Sequence, residues 1–168
     1  MLFSENNVYY LDEINEQIIQ DAINKKSTIT LISFSMSDNM EKKLDQVVKQ
    51  ILEKYSKSDD FQTLLYTSAK ELAINGLKAN HKRIFFENNG LDISNQEDYK
   101  KGISLYKENI NEEMATIYGQ IARNNRIFVK IQFHHNQNGI RLEITNNSTI
   151  TTQEERRLRN TLAKVVKY

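Results

Sequence analysis

Glu71, Asn75 and Lys78 are the residues of this chain whose types and spacing could do chemistry. They stand at i, i+4 and i+7 within residues 60 to 86, DFQTLLYTSAKELAINGLKANHKRIFF, and at 3.6 residues per turn they line one face of a helix. A carboxylate, a carboxamide and an ammonium on one stripe can activate a water, hold a divalent cation and meet a phosphate. The neighbouring face carries Leu65, Ala69, Leu72, Gly76 and Ala79, and is expected to pack on a sheet. The alternative for the same spacing is an ordinary polar face turned to solvent, with a Glu and a Lys two turns apart. Of the three histidines, His134 and His135 are adjacent, so on a strand they point to opposite faces. With no third ligand at metal spacing, a zinc site is not expected.

The stretch KELAINGLKAN resembles the N-box of the GHKL ATPases, the superfamily of gyrase, heat-shock chaperone, histidine-kinase and mismatch-repair ATP-binding domains. The residues that match its E-x-x-x-N-A-x-K-A pattern are Glu71, Asn75, Lys78 and Ala79, with Gly76 in place of the usual Ala. By that resemblance Glu71 is the catalytic base that orients the attacking water, Asn75 ligates the magnesium bridging the ATP phosphates, and Lys78 contacts phosphate. A Glu at the first position is similar to the chaperone, gyrase and anti-sigma-factor kinase branches. His81, His134 and His135 lack the H-E/D-x-R surroundings of a histidine-kinase phosphoacceptor.

The same family carries a G1 box, D-x-G-x-G, at the end of the second strand after the N-box. Here the corresponding residues are Asn146, Asn147, Ser148, Thr149 and Ile150, so Asn146 stands where the adenine-binding Asp should be and neither glycine is present. An amide oxygen still accepts the adenine N–H, without the charge-assisted part of the bond. The glycine-rich G2 segment is missing, and the five scattered glycines offer no phosphate-cradling loop elsewhere. The resemblance, covering roughly residues 27 to 150, implies an ATP-binding domain that acts with Mg-ATP as an ATPase or signalling kinase in the intact protein. This chain alone, reading as truncated before G2, is expected to bind Mg-ATP weakly or not at all. A non-catalytic protein-interaction, dimerisation or regulatory module is the competing expectation.

The elements that must position these residues follow from hydrophobic period. Residues 8 to 24 place Ile14, Ile18, Ile19 and Ala22 on one helical side and predict a short helix. TITLISFS, residues 28 to 35, is dense in β-branched and aromatic residues, as a covered strand would be. Met40, Leu44, Val47, Val48, Ile51, Leu52 and Tyr55 predict a helix over 40 to 56, with an N-cap among Ser37, Asp38 and Asn39. The 60 to 86 helix should close at Asn88, Asn89 and Gly90. From 95 to 122, Tyr99, Ile103, Tyr106, Ile110, Met114, Ile117, Tyr118 and Ile121 predict an inserted long helix, roughly 40 Å if unbroken, forming core or a partner seam. Residues 126 to 146 alternate as a hairpin with its turn at Asn138 and Gly139. A charged helix follows, capped by Thr151 or Thr152 with Glu154 available for a capping box.

At 168 residues, 39% hydrophobic and 27% charged, the chain has the composition of one ordinary globular domain, taken here as a single unit over 1 to 168. The expected architecture is α+β, a two-layer sandwich resembling the GHKL (Bergerat) fold, with helices 40 to 56 and 60 to 86 on one face of a sheet built from 28 to 35, 126 to 134 and 139 to 146. A net charge of +1 argues against a nucleic-acid partner. The absence of cysteine excludes disulfides and thiolate metal sites, and with no signal peptide or membrane span visible a cytoplasmic location is the default. The chain stops at Lys167 and Tyr168 inside a patterned helix, which reads as truncation and predicts exposed apolar surface, hence a homodimer or another protein partner.

Overall fold

The computed structural model describes residues 7–25, 28–55 and 58–165, so the chain end at Lys167 and Tyr168 and the expected helix end at 56 lie outside the described residues. The fold is α+β, with one four-stranded mixed sheet in the order β1 (Val8–Tyr10), β2 (Thr28–Ser33), β3 (Val129–Asn136), β4 (Gly139–Asn146). β1 runs parallel to β2, whereas β2–β3 and β3–β4 are antiparallel. The helices are α1 (Glu16–Lys25), α2 (Asp38–Lys54), α3 (Asp59–Asn88), α4 (Gln96–Asn109), α5 (Glu112–Asn124) and α6 (Thr152–Val165).

Strand alternation divides the sheet into two chemically different faces. Ile29, Leu31, Val129, Ile131 and Phe133 are buried in one cluster with Leu44, Val47, Val48 and Ile51 of α2, Leu65, Ala69, Ala73 and Leu77 of α3, and Ile19, Ala22 and Ile23 of α1. The register that pairs Ile29 with Phe133 and Leu31 with Ile131 turns these side chains to one face. The other face holds a polar chain in which Gln132 donates to Thr30 at 3.3 Å and His134 contacts Thr28 at 3.0 Å and Glu143 at 3.1 Å. Helices 38–54 and 59–88 therefore lie with the hairpin strands over a single sheet, in the arrangement expected from the sequence.

A second cluster gathers beyond the strand ends. Phe34 and Ile32 meet Ile84, Phe85 and Phe86 from the last turns of α3, together with Tyr99, Tyr106, Tyr118 and Ala122 of α4 and α5. Gly102 lies under the Phe86 ring, where a Cβ would stand 2.3 Å from Cζ, so glycine is what lets α4 approach. The tyrosines of the 95 to 122 segment are thus core.

Four expectations are corrected. Val8–Tyr10 is a strand, because its backbone pairs with β2 from Thr30 to Ile32, and helix starts only at Glu16. The long helix is two: Ile110 is extended at φ −70, ψ 122, and Asn111 caps α5 by accepting from Met114 N at 2.9 Å. The hairpin loop is Gln137 and Asn138, with Gly139 paired to Asn136, and its turn is held by the Asn136 carboxamide, which accepts from Asn138 N at 2.8 Å and Gly139 N at 3.2 Å. On α3 the sheet-facing stripe is Leu65, Ala69, Ala73 and Leu77, while Leu72 is 51% exposed. Small residues face the sheet because the helix lies close to it, as Gly76 shows: a Cβ there would stand 2.8 Å from Val129 Cγ2.

Candidate functional site

α3 is one unbroken helix of 30 residues because no proline interrupts it and Gly76 is its only glycine before the closing Asn89 and Gly90. It ends in a Schellman motif, with Gly90 at φ 64, Gly90 N donating to Glu87 O and Leu91 N to Phe86 O. This is the close expected from the sequence. The helix is fixed to the sheet end by His81, whose Nε2–H donates to Phe34 O at 2.9 Å. Burial lowers the His81 pKa, the hydrogen bond to Phe34 opposing, so the ring is held neutral.

Glu71, Asn75 and Lys78 share one face of α3, as their spacing requires, and all three are exposed. None of the three side chains makes a hydrogen bond or ion pair among the described residues. At 100° per residue this stripe stands opposite Ala69 and Ala73, so it points away from the sheet. Asn146, at the end of β4, is brought to the same turn of the helix. Its Nδ2 donates to Gly76 O at 3.2 Å, and its Cβ lies 3.9 Å from where a Gly76 Cβ would be. The structure thus puts the strand end beside the helix turn that carries Asn75, and leaves Glu71 and Lys78 about one turn to either side.

The chain leaving β4 is strapped across the following turns of α3. Asn146 Oδ1 accepts from Ser148 N at 2.8 Å, and Ser148 Oγ donates to Asn80 Oδ1 at 2.5 Å. Arg83 donates to Thr149 O at 2.6 Å and to Glu154 at 2.7 Å, while Lys82 donates to the other Glu154 oxygen at 2.5 Å. Glu154 also closes the expected capping box, accepting from Thr151 N at 3.0 Å while Thr151 Oγ1 accepts from Glu154 N at 3.2 Å. Burial alone would raise the Glu154 pKa. The hydrogen bonds from Lys82 and Thr151 and the charges of Lys82 and Arg83 outweigh it and hold the carboxyl below its ordinary range.

This strap is what the sequence did not disclose. Glu154 is readable as a capping residue, but nothing in its spacing links it to Lys82 and Arg83 some seventy residues earlier. Asn80 is fully buried, and its Nδ2 has no partner among the described residues. A cleft of about 620 Å³ lies elsewhere, between the N-terminus of α2 and α5, lined by Asp12, Ser35, Ser37, Glu112 and Arg123 among others. None of Glu71, Asn75, Lys78 and Asn146 lines it.

The residues fit a magnesium-bound nucleotide in part. The Asn75 amide and the Glu71 carboxylate are accessible to a cation and its waters, and Lys78 to a phosphate. The Asn146 oxygen, which would accept from adenine, is already engaged by Ser148. Among the described residues no group of three or more His, Asp or Glu is placed to hold a metal, and no helix is long and apolar enough to cross a membrane.

No protein-family model matches the chain, and no solved structure does. The chain is similar to an uncharacterized protein of Treponema pallidum (strain Nichols), with 29% identity over 171 residues that cover 98% of this chain and 33% of the relative. The chain thus spans about a third of the length of that relative.

Proposed function

We propose that α3 and the end of β4 form the nucleotide-facing part of a histidine kinase-like ATP-binding domain, and that the intact protein takes up ATP with magnesium there. The joint between Asn146 and Gly76 carries this reading, because a G1 box and an N-box must meet at one place and these two positions do, at 3.2 Å. Asn75 offers an amide oxygen to the cation, Lys78 a charge to phosphate, and Glu71 a carboxylate to orient and deprotonate a water. Magnesium, when bound, supplies charge that neutralises the phosphate oxygens. The rigid part of the arrangement belongs to the chain: His81 and the Asn146–Gly76 bond fix the helix against the sheet, so the stripe keeps its place without ligand.

Binding by this chain is weak. The adenine acceptor is neutral and already bonded, and no glycine loop surrounds the phosphates, so several contacts worth about 1–3 kcal/mol each are absent. The dissociation constant for ATP is therefore expected at or above about 1 mM, without hydrolysis. Calorimetric titration with magnesium and a non-hydrolysable ATP analogue tests this, on wild type, Asn75→Ala and a chain extended through any downstream G-x-G-x-G segment. Heat from the extended chain that Asn75→Ala abolishes supports the reading. If neither wild type nor the extended chain gives heat, or Asn75→Ala binds as well as wild type, the reading fails.

A non-catalytic interaction or regulatory module is the second reading. The exposure of Leu64 at 63% and Leu72 at 51%, on the helix that carries the stripe, favours it.

A further inference from the structure

We infer that the outer edge of β4 is a self-association surface that pairs antiparallel with β4 of a second copy about a two-fold axis at Leu142. This is independent of the nucleotide reading. β4 is the last strand of the sheet, and its other edge is hydrogen-bonded to β3 along its whole length, from Gly139 to Asn146. The two-residue loop closes on Asn136 and Gly139 as a hydrogen-bonded pair, and such pairs alternate along an antiparallel ladder. The backbone N–H and C=O groups of Ile140, Leu142 and Ile144 therefore point outward, a row unpaired among the described residues that templates a further strand.

The sequence of that row, Ile-Arg-Leu-Glu-Ile, is complementary to itself when reversed. Only outward-facing residues can pair across a new ladder, so the two-fold axis must fall on Ile140, Leu142 or Ile144, or midway between two of them. An axis on Leu142 sets Ile140 against Ile144 of the second copy and Arg141 against its Glu143, twice over. Shifting the pairing by one step to either side sets Arg141 against Arg141 or Glu143 against Glu143, which repel. Arg141 and Glu143 fall at positions without mutual backbone bonds, where facing side chains approach most closely. Arg141 and Glu143 pair with each other along the strand at 3.1 Å, and their side chains, 68% and 43% exposed, stay within reach of a second copy.

The inner face matches as well. Ile140, Leu142 and Ile144 are half-buried at the margin of the first core cluster, and pairing would continue that core across the axis. α3 lies over this margin. Its Lys70 and Gln62 are directed to α2, through Glu41 at 2.6 Å and Asp45 at 3.3 Å, so the flank with Phe61, Leu64, Ser68 and Leu72 overhangs the β4 side. α3 runs in the direction of β4, because its start follows Tyr55, which contacts His135 at 2.7 Å near the hairpin loop, and its Gly76 reaches Asn146. Leu142 is about 13 Å before Asn146, which corresponds to about nine residues of helix before Gly76. The axis thus passes near Ser68, a small residue, and sets Leu64 opposite Leu72 of the second copy. The same axis satisfies the exposed backbone, the charges and the apolar flank.

Charge reversal tests the pairing by sedimentation velocity from about 5 to 200 µM. Arg141→Glu and Glu143→Arg, singly, should weaken self-association at least about tenfold, and the double reversal should restore it. Because the chain has no cysteine, Leu142→Cys adds a single thiol at the axis, where facing Cα atoms about 5.5 Å apart suit a disulfide. Oxidation should cross-link Leu142→Cys and leave Thr145→Cys without a covalent link. A folded wild-type monomer at 200 µM overturns the proposal, as does a dimer indifferent to both reversals and not cross-linked at 142. Slow exchange of the Ile140, Leu142 and Ile144 amides in a monomeric longer chain also overturns it, since the edge would then belong to another segment of that chain.

Discussion

Arg126 closes α5 in the left-handed region, at φ 57, where an L side chain is disfavoured. It is the counterpart of Gly90, with Ile127 N donating to Ala122 O and Arg126 N to Arg123 O. Arg126→Gly should stabilise the protein by about 0.5–1 kcal/mol, and Gly90→Ala should cost about 1 kcal/mol; urea midpoints decide both. Two buried histidines give a second prediction. Burial lowers the pKa of both His81 and His135 from 6.5, and the Lys54 charge adds to it at His135. A lowered histidine pKa means that the unfolded chain binds the proton more readily. This stability is complete above about pH 6.5 and is lost as pH falls from there towards the folded values. Stability should therefore be lower at pH 5.5 than at 7.5, and His135→Gln should make that difference smaller. An equal difference in the variant would refute the assignment. Glu154 also loses stabilisation in acid, but below its ordinary 4.5, so it does not confuse this window.

At the scale of elements, α2 and the hairpin were legible because each follows one period without interruption, and α3 because a long run free of proline ends at the helix-closing Asn89 and Gly90. The rest was hidden by competing signals. Val8–Tyr10 borders a helical pattern, and only pairing with β2 makes it a strand. The apolar period crosses Ile110 undisturbed, and the break is signalled instead by Asn111 followed by Glu112 and Glu113, an N-cap with an acidic first turn. The phase of α3 was misjudged because Leu72 and Ala73 are neighbours, and leucine is the more hydrophobic while alanine is the one that fits. The candidate stripe shows the same limit: spacing places Glu71, Asn75 and Lys78 on one face but does not say where that face looks. α6 depends on contacts that no period encodes. Lys82, Arg83 and Glu154 are mostly buried, at 15%, 15% and 13% side-chain exposure. Glu154→Ala leaves two cations facing each other and should cost about 1–3 kcal/mol. Hydrogen exchange should then accelerate over 152–165 more than in β3. Uniform acceleration would mean that the strap holds nothing locally.

For the whole molecule, the layer order was legible because the strongest periodic segments are the ones that build the first core cluster, whereas the second cluster joins residues from four elements and has no single period. The two clusters are not two folding units. α3 supplies Leu65, Ala69, Ala73 and Leu77 to the first and Ile84, Phe85 and Phe86 to the second, so a helix about 45 Å long would have to fray in its middle for one to open without the other. β2 repeats the link, with Leu31 in the first cluster and Ile32 in the second. One cooperative transition is expected, with amides of α5 and β3 opening at the same free energy. Gly102→Ala sharpens the test, because its Cβ strikes the Phe86 ring in the second cluster only. Overpacking there should cost about 1–3 kcal/mol. In a single cooperative unit that loss appears equally in the exchange of β3 amides, including those of Ile131 and Phe133, which never touch the substituted site. If α5 is destabilised while β3 keeps its protection, the molecule unfolds in two stages and α3 is a hinge between them.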